Sequence, residues 1–388
     1  MFSLLLAIIY AAFISLGLPD SLLGAAWPVM RLDLNAPLSY AGIITMIISG
    51  GTIISSLYSA RVINRLGTGL VTAVSTGITA IALIGFSLAD SILMLCLLAI
   101  PYGIGAGAID AALNNFVALH YSSRHMSWLH AFWGVGVTIS PAIMSFCLTR
   151  NFGWEKGYLT VGILQLALTA VMFFTLPIWK SKSSQSEDEV TPKSLTLSQA
   201  FRINGVPMVL CAFLCFCAVE GTAGLWAASY MSDFRGVNPE TAAKFASLFY
   251  LGETIGRFLN GFIADKFGDK NMIRTGVIIM LSGITLTAIP YEADIPALIG
   301  LVIIGLGAAP VYPCIIHSTP YNFGKENSQS LVGIQMASAY VGSTFMPPLF
   351  GVIAQHINIG LYPIYLAFFA VSLLIMTEWL NKCTAHNK

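Results

Sequence analysis

GFIADKFGDK, residues 261–270, closes a long apolar run with a charged pair, a glycine and two more charges; ARVINRLGTG, residues 60–69, closes another apolar run in the same rhythm. Laid over each other, Asn64-Arg65-Leu66-Gly67 falls on Asp265-Lys266-Phe267-Gly268. Working outward at the same shift of about 200 residues, GLPDSLLGAAW (17–27) meets AVEGTAGLW (218–226), with Asp20 on Glu220, Gly24 on Gly224 and Trp27 one place from Trp226. GIGAG (103–107) meets GLGAA (305–309), and Pro141 meets Pro347-Pro348 as the shift drifts to 206. Each match alone is weak, since glycine is common in apolar helices. In order along the chain, they describe a duplicated unit.

The unit is built for lipid. Of 388 residues, 56% are hydrophobic and 10% charged, with mean hydropathy +0.78, against roughly 25% charged in a soluble domain. Apolar runs of about 20 residues are what a helix needs to cross a hydrocarbon core of ~30 Å. Cutting at charged and turn-rich clusters predicts spans over 2–30, 36–60, 68–88, 92–120, 126–148 and 156–178, then 205–231, 240–262, 271–289, 294–318, 327–353 and 360–381. The expected fold is an all-α membrane protein of twelve transmembrane helices in two pseudo-symmetric six-helix bundles, 1–178 and 205–388. Residues 179–204, with SKSSQSEDEVTPKS and Pro192, read as a flexible cytoplasmic linker. The first apolar run lacks a preceding basic segment and extends to Met30, which fits a membrane span better than a cleaved signal.

Lysine and arginine set the orientation. With both termini in the cytoplasm, thirteen basic residues fall inside and five outside (Arg31, Arg150, Lys156, Arg235 and Lys244), with Arg257 inside a span. A net charge of +1 lacks the basic stripe a nucleic-acid binder needs. The seven cysteines lack clustered histidines and read as buried apolar side chains, so neither metal nor cofactor is expected. No H-E-x-x-H or nucleophile–base pattern marks an enzyme.

The loop GRFLNGFIADKFGDK (256–270) resembles the signature of the major facilitator superfamily: Gly261, Asp265, Lys266, Gly268 and Lys270 fill its slots, with Asp269 where a basic residue is usual. The resemblance is closest to the fucose permease type of sugar symporter. It rests on the helix 1 acid Asp20, the helix 4 pair Asp110 and Asn114, a helix 5 stretch His130-Ala131-Phe132-Trp133-Gly134-Val135-Gly136, the helix 7 acid Glu220, and Gly256-Arg257 in helix 8. His130 and Trp133 depart from the Gln and Asn of that type. The resemblance implies a multi-pass transporter that moves a small sugar through the bilayer with a proton by alternating access; a monomer is expected, and the short termini and lean loops point to a bacterial inner membrane. Sodium coupling, with Asp20 and Glu220 as the ion site, and antiport export of amphiphiles are the competing readings.

Within spans, carboxylates cost at least ~2.5–3.5 kcal/mol even on insertion scales, so they mark pathways. Asp110 and Asp20 are therefore the expected proton-coupling acids. Glu220 is expected to join them, to bond substrate, or to hold a helix 7 break near Gly221 and Gly224. Asn114, one turn from Asp110 on the same face, is expected at the substrate, as are His130, Trp133, Trp27, Trp226, Gln335 and Tyr340. His130 reads equally as a proton relay or as a histidine bonded near a span end. Asp265 and Lys266 are expected to gate by a charge-assisted clasp between helix ends, while in the first-half copy Asn64, beside Arg65, replaces the acid and can only hydrogen-bond. Arg257 and Glu253, four residues apart, are expected to form a structural or gating ion pair.

Overall fold

A computed structural model of the chain describes residues 4–37, 40–179, 193–237, 239–289 and 294–384, without the side chains of 28 and 239–247. In chain order the helices are α1 Leu4–Gly17, α2 Leu22–Asp33, α3 Tyr40–Leu66, α4 Thr68–Phe86, α5 Ile92–His120, α6 Ser123–Thr149 and α7 Gly153–Phe174. They continue as α8 Leu197–Phe201, α9 Val206–Ser229, α10 Pro239–Phe267, α11 Asp269–Ala288, α12 Ile295–Ala308, α13 Val311–His317, α14 Thr319–Phe323, α15 Lys325–Ile353 and α16 Tyr362–Thr384. No strand occurs among the described residues. Ten helical stretches among them are long and apolar enough to span a membrane, and one of these, Lys325–Thr384, holds α15 and α16 in succession. The long helix α10, which carries Glu253, Arg257, Asp265 and Lys266, is not among these ten.

The chain divides into two units. One comprises 1–116 and 129–194, the other 117–128 and 195–388, so the turn between α5 and α6 groups with the second half of the sequence. In the first unit Leu22, Ala26, Met30, Phe86, Trp154 and Tyr158 form a buried apolar core. Gln165 of α7 ties three helices together: it accepts from Thr79 Oγ1 of α4 at 2.9 Å and donates to the Ser15 carbonyl of α1 at 2.6 Å. Backbone groups buried in lipid must be satisfied within the protein, and polar bridges of this kind hold helices at fixed depth. In the second unit α9 and α15 approach closely enough that Gly342 abuts the Leu214 carbonyl, and Ser338 Oγ donates to the Leu210 carbonyl at 2.8 Å. Arg274 of α11 clamps Glu378 of α16 through two bonds of 2.7 Å.

The structure departs from the expected spans at three places. The first span is broken between Gly17 and Leu22, where Pro19 supplies no N–H and biases Leu18 away from helix; Asp20 N and Leu22 N bond three residues back, to Gly17 and Pro19. The expected break at Gly221 and Gly224 is absent, and α9 runs through both to Ser229 before a π-helical turn at Tyr230–Phe234. The broken partner lies instead in the tenth span, where Ala309-Pro310 separates α12 from α13. Within the expected flexible linker, α8 is a capped helix: Thr196 Oγ1 accepts from Gln199 N, and Gln199 Oε1 accepts from Thr196 N at 2.8 Å, a capping box. Residues 180–192 of that linker, with Lys180 and Lys182, lie outside the described residues.

Candidate functional site

Backbone contact sets the first-unit site. Gly17 of α1 lies against the Trp133 carbonyl and Gly136 of α6 against the Ile14 carbonyl, so each glycine admits the opposing helix where any Cβ would collide. That approach places the Trp133 indole on the carboxylate carried by the α1–α2 break: Trp133 Nε1 donates to Asp20 Oδ2 at 2.9 Å. Leu18-Pro19-Asp20 bends the chain, which lets an acid project at mid-span rather than lie along a helix face. Asp20 remains exposed, with Tyr102 beside it and Asp110 within electrostatic reach.

Asp110, Asn114 and His130 form a buried chain, all three 5% exposed or less. Asn114 Nδ2 donates to Asp110 Oδ1 at 2.7 Å and to the Asp110 carbonyl at 3.0 Å. Its Oδ1 stands 3.0 Å from His130 Nε2. Because the amide nitrogen already faces Asp110, its oxygen must accept, which assigns the proton of His130 to Nε2. The Phe13 ring packs against the imidazole at a centroid separation of 5.4 Å. The Asn114 amide thus stands between the Asp110 carboxylate and the His130 imidazole and orients both.

In the second unit Arg257 stands between two carboxylates. Its Nη2 donates to Glu253 Oε1 at 2.6 Å and to Glu220 Oε1 at 3.1 Å. The Arg257 and Glu253 side chains are 3% exposed, Glu220 21%. Gly305 lies against the Phe249 carbonyl and near Glu253 N, which seats α10 deep against α12 and buries the pair. With both acids ionised the cluster carries one excess negative charge, and Glu220 is its accessible member.

The expected substrate residues divide. Trp133 and Tyr340 are partly exposed, and so is Trp226, whose indole donates to the Pro347 carbonyl at 2.9 Å. Trp27 packs instead in the first unit's apolar core, because α2 turns its indole inward beside Leu23 and Met30. Asn114 is wholly buried rather than lining a cavity, held by Asp110 and His130. Gln335 is equally buried, and its Oε1 accepts from Thr319 Oγ1 at 2.9 Å. Helical spacing identifies a shared face but not whether that face meets a cavity or a neighbouring helix.

Among the loop residues, Asp265 takes Ser122 Oγ at 3.0 Å, Arg124 N at 3.1 Å and Arg124 Nε at 3.5 Å. Asp269, the residue that breaks the loop pattern, takes Ser123 Oγ at 2.6 Å and stands 2.6 Å from His317 Nδ1, while His317 Nε2 faces the Tyr121 carbonyl at 3.2 Å. The Trp128 indole donates to the Phe258 carbonyl at 3.2 Å. Ser122, Ser123 and His317 were not legible as partners, although an acid in a slot usually basic was a usable signal. Asn64 Nδ2 donates to Ser194 Oγ at 3.2 Å, whereas Arg65 and Lys266 are exposed. No cluster of three or more metal-binding side chains occurs among the described residues.

A family model described as Major Facilitator Superfamily matches residues 9–246 and 208–386. Among curated relatives, Bypass of stop codon protein 6 of Saccharomyces cerevisiae is 22% identical, over 95% of this chain and 80% of its own length. The sialic acid transporter NanX of Escherichia coli is 24% identical over 78% and 74%. Among solved structures, the transporter FucP in its outward conformation superposes with a TM-score of 0.80 at 15% identity, covering 97% of this chain and 98% of that one. The proton:xylose symporter XylE bound to 6-bromo-6-deoxy-D-glucose superposes at 0.79 and 14% identity, covering 97% and 94%.

Proposed function

The chain belongs to the major facilitator superfamily, and on that premise we propose that it is a proton-coupled symporter of a small uncharged sugar, working by alternating access of its two six-helix halves. The observation that carries this reading is the pairing of an exposed acid, Asp20 on Trp133, with a buried acid, Asp110, held by Asn114. Two carboxylates with different access to water suit a cycle in which one exchanges with solution and the other senses occupancy. An ionised acid resists reorientation through the membrane, and a bound proton removes that cost. The membrane potential then drives net uptake, at about 2.3 kcal/mol per charge per 100 mV.

The second unit supports an uncharged substrate. A carboxylate ligand needs a basic partner, and Arg257 is already bracketed by two acids. An indole such as Trp133 or Trp226, by contrast, offers an apolar face to a sugar ring. The positive-inside bias supports cytoplasmic termini in an inner membrane.

A sugar acid is the second reading, favoured by the likeness to the sialic acid transporter and by the accessibility of Glu220: a substrate carboxylate that displaced Glu220 would inherit Arg257. Uptake into proteoliposomes of labelled hexoses, pentoses and sugar acids, with and without an imposed pH gradient, separates these readings. Accumulation of a neutral sugar driven by inward proton flow, with external alkalinisation on its addition, is the expected result. Gradient-independent uptake with strict sodium dependence would transfer the coupling role to sodium, and exclusive uptake of sugar acids would overturn the neutral substrate. Asp110→Asn is expected to abolish accumulation while sparing exchange of internal for external sugar; accumulation at the wild-type level would remove Asp110 from the coupling.

A further inference from the structure

The transport reading leaves unused a groove of about 660 Å³ in the first unit, lined by α6, α7 and the turn that joins them. Its walls are apolar and open: Ile139, Phe146 and Phe152 are 43%, 56% and 55% exposed. A volume of this size accommodates a segment of hydrocarbon chain, and in a bilayer an open apolar wall of this kind faces acyl tails.

The rim is not apolar. Lys156 lines the groove and is exposed. Arg150 lays its guanidinium over the Phe146 ring, 5.8 Å from the centroid, and Phe146 in turn meets Phe152 at 6.3 Å. Both cations sit close to the turn at 150–152, which joins two helices long and apolar enough to span a membrane, and long basic side chains at such ends extend toward the interface. Of the nearby acids, Asp33 accepts the Trp154 indole at 2.9 Å, and Glu155 places its carboxylate over Gly153 at the first turn of α7, one negative charge beside two positive ones. An apolar trough capped by two basic groups complements one chemistry, a hydrocarbon tail joined to a net negative headgroup.

We propose that this groove is a binding site for an anionic phospholipid, with an acyl chain between Phe146, Phe152 and Ile139 and the phosphate held by Lys156 and Arg150. Two exposed basic side chains beside a headgroup favour a net negative lipid over a zwitterionic one by up to about 30-fold.

The test is native mass spectrometry of the full chain, released from detergent carrying equal amounts of phosphatidylglycerol and phosphatidylcholine with matched acyl chains. One phosphatidylglycerol is expected to survive activation that strips phosphatidylcholine. Arg150→Ala with Lys156→Ala is expected to lower retention of phosphatidylglycerol to that of phosphatidylcholine, and Ala142→Trp, which fills the wall, to lower both. Lys156→Gln alone provides the charge comparison should the double variant fold poorly. Equal retention of the two lipids by the wild type, an annular lipid only, would overturn the proposal, as would undiminished phosphatidylglycerol on a folded charge-deleted variant.

Discussion

Replacing Arg257 by Met should damage this protein more than replacing either acid beside it. Arg257 Nη2 lies 2.6 Å from Glu253 and 3.1 Å from Glu220, and Glu253 has almost no access to water. Met fills most of the side-chain volume but leaves two carboxylates facing each other with no cation. Removing one member of a buried pair costs about 3–5 kcal/mol because the remaining charge cannot be resolvated. In a unit of this size each kcal/mol moves an unfolding midpoint by about 2–4 °C. The midpoint of Arg257→Met should therefore fall by about 6–20 °C. Glu253→Gln leaves one acid for one guanidinium and should cost less. Buried Cys215, Cys217 and Cys314 report on the same unit, so unfolding in detergent can be followed with a thiol-reactive fluorogenic dye. A midpoint within about 2 °C of wild type for Arg257→Met, or a larger loss for Glu253→Gln, would refute the claim that the guanidinium neutralises this cluster.

The glycine contact between α1 and α6 makes a paired prediction. Gly17→Ala drives a methyl group into the Trp133 carbonyl and should cost about 1–3 kcal/mol by overpacking, whereas Gly24→Ala meets nothing within 4 Å and should melt at or slightly above wild type; equal midpoints would disprove the close approach. Asp265→Asn removes an ion pair whose members are 33% and 41% exposed, so stability should change by less than about 1 kcal/mol. If Asp265 gates, the initial uptake rate should change at that unaltered stability, and an unchanged rate would confine Asp265 to structure.

Local spacing was readable and distant pairing was not. Asp110 with Asn114 and Glu253 with Arg257 each lie four residues apart, a helical turn, and both pairs bond as that spacing predicts. Asp20 with Trp133 and Glu220 with Arg257 depend on which helices touch, and no periodicity encodes that. Trp27 shows the same limit: the repeat places it one position from Trp226, but that alignment does not say that α2 buries one indole while α9 leaves the other partly open. The sequence placed its expected break at Gly221 and Gly224, whereas the chain breaks beside Pro19. Proline removes a hydrogen bond outright, while a glycine surrounded by packed helices keeps its own.

The charge content of α10 bears on how the protein is made. A helix with a buried arginine and glutamate enters a bilayer poorly by itself, since arginine alone costs about 2.5–3.5 kcal/mol at the centre of a span on the insertion scale. Its predecessor on the ribosome, α9, carries Glu220, which makes the second bond to Arg257. The two segments can leave the translocon as a helical hairpin whose opposite charges are already matched, so that synthesis order supplies a counterion before the costly segment meets lipid.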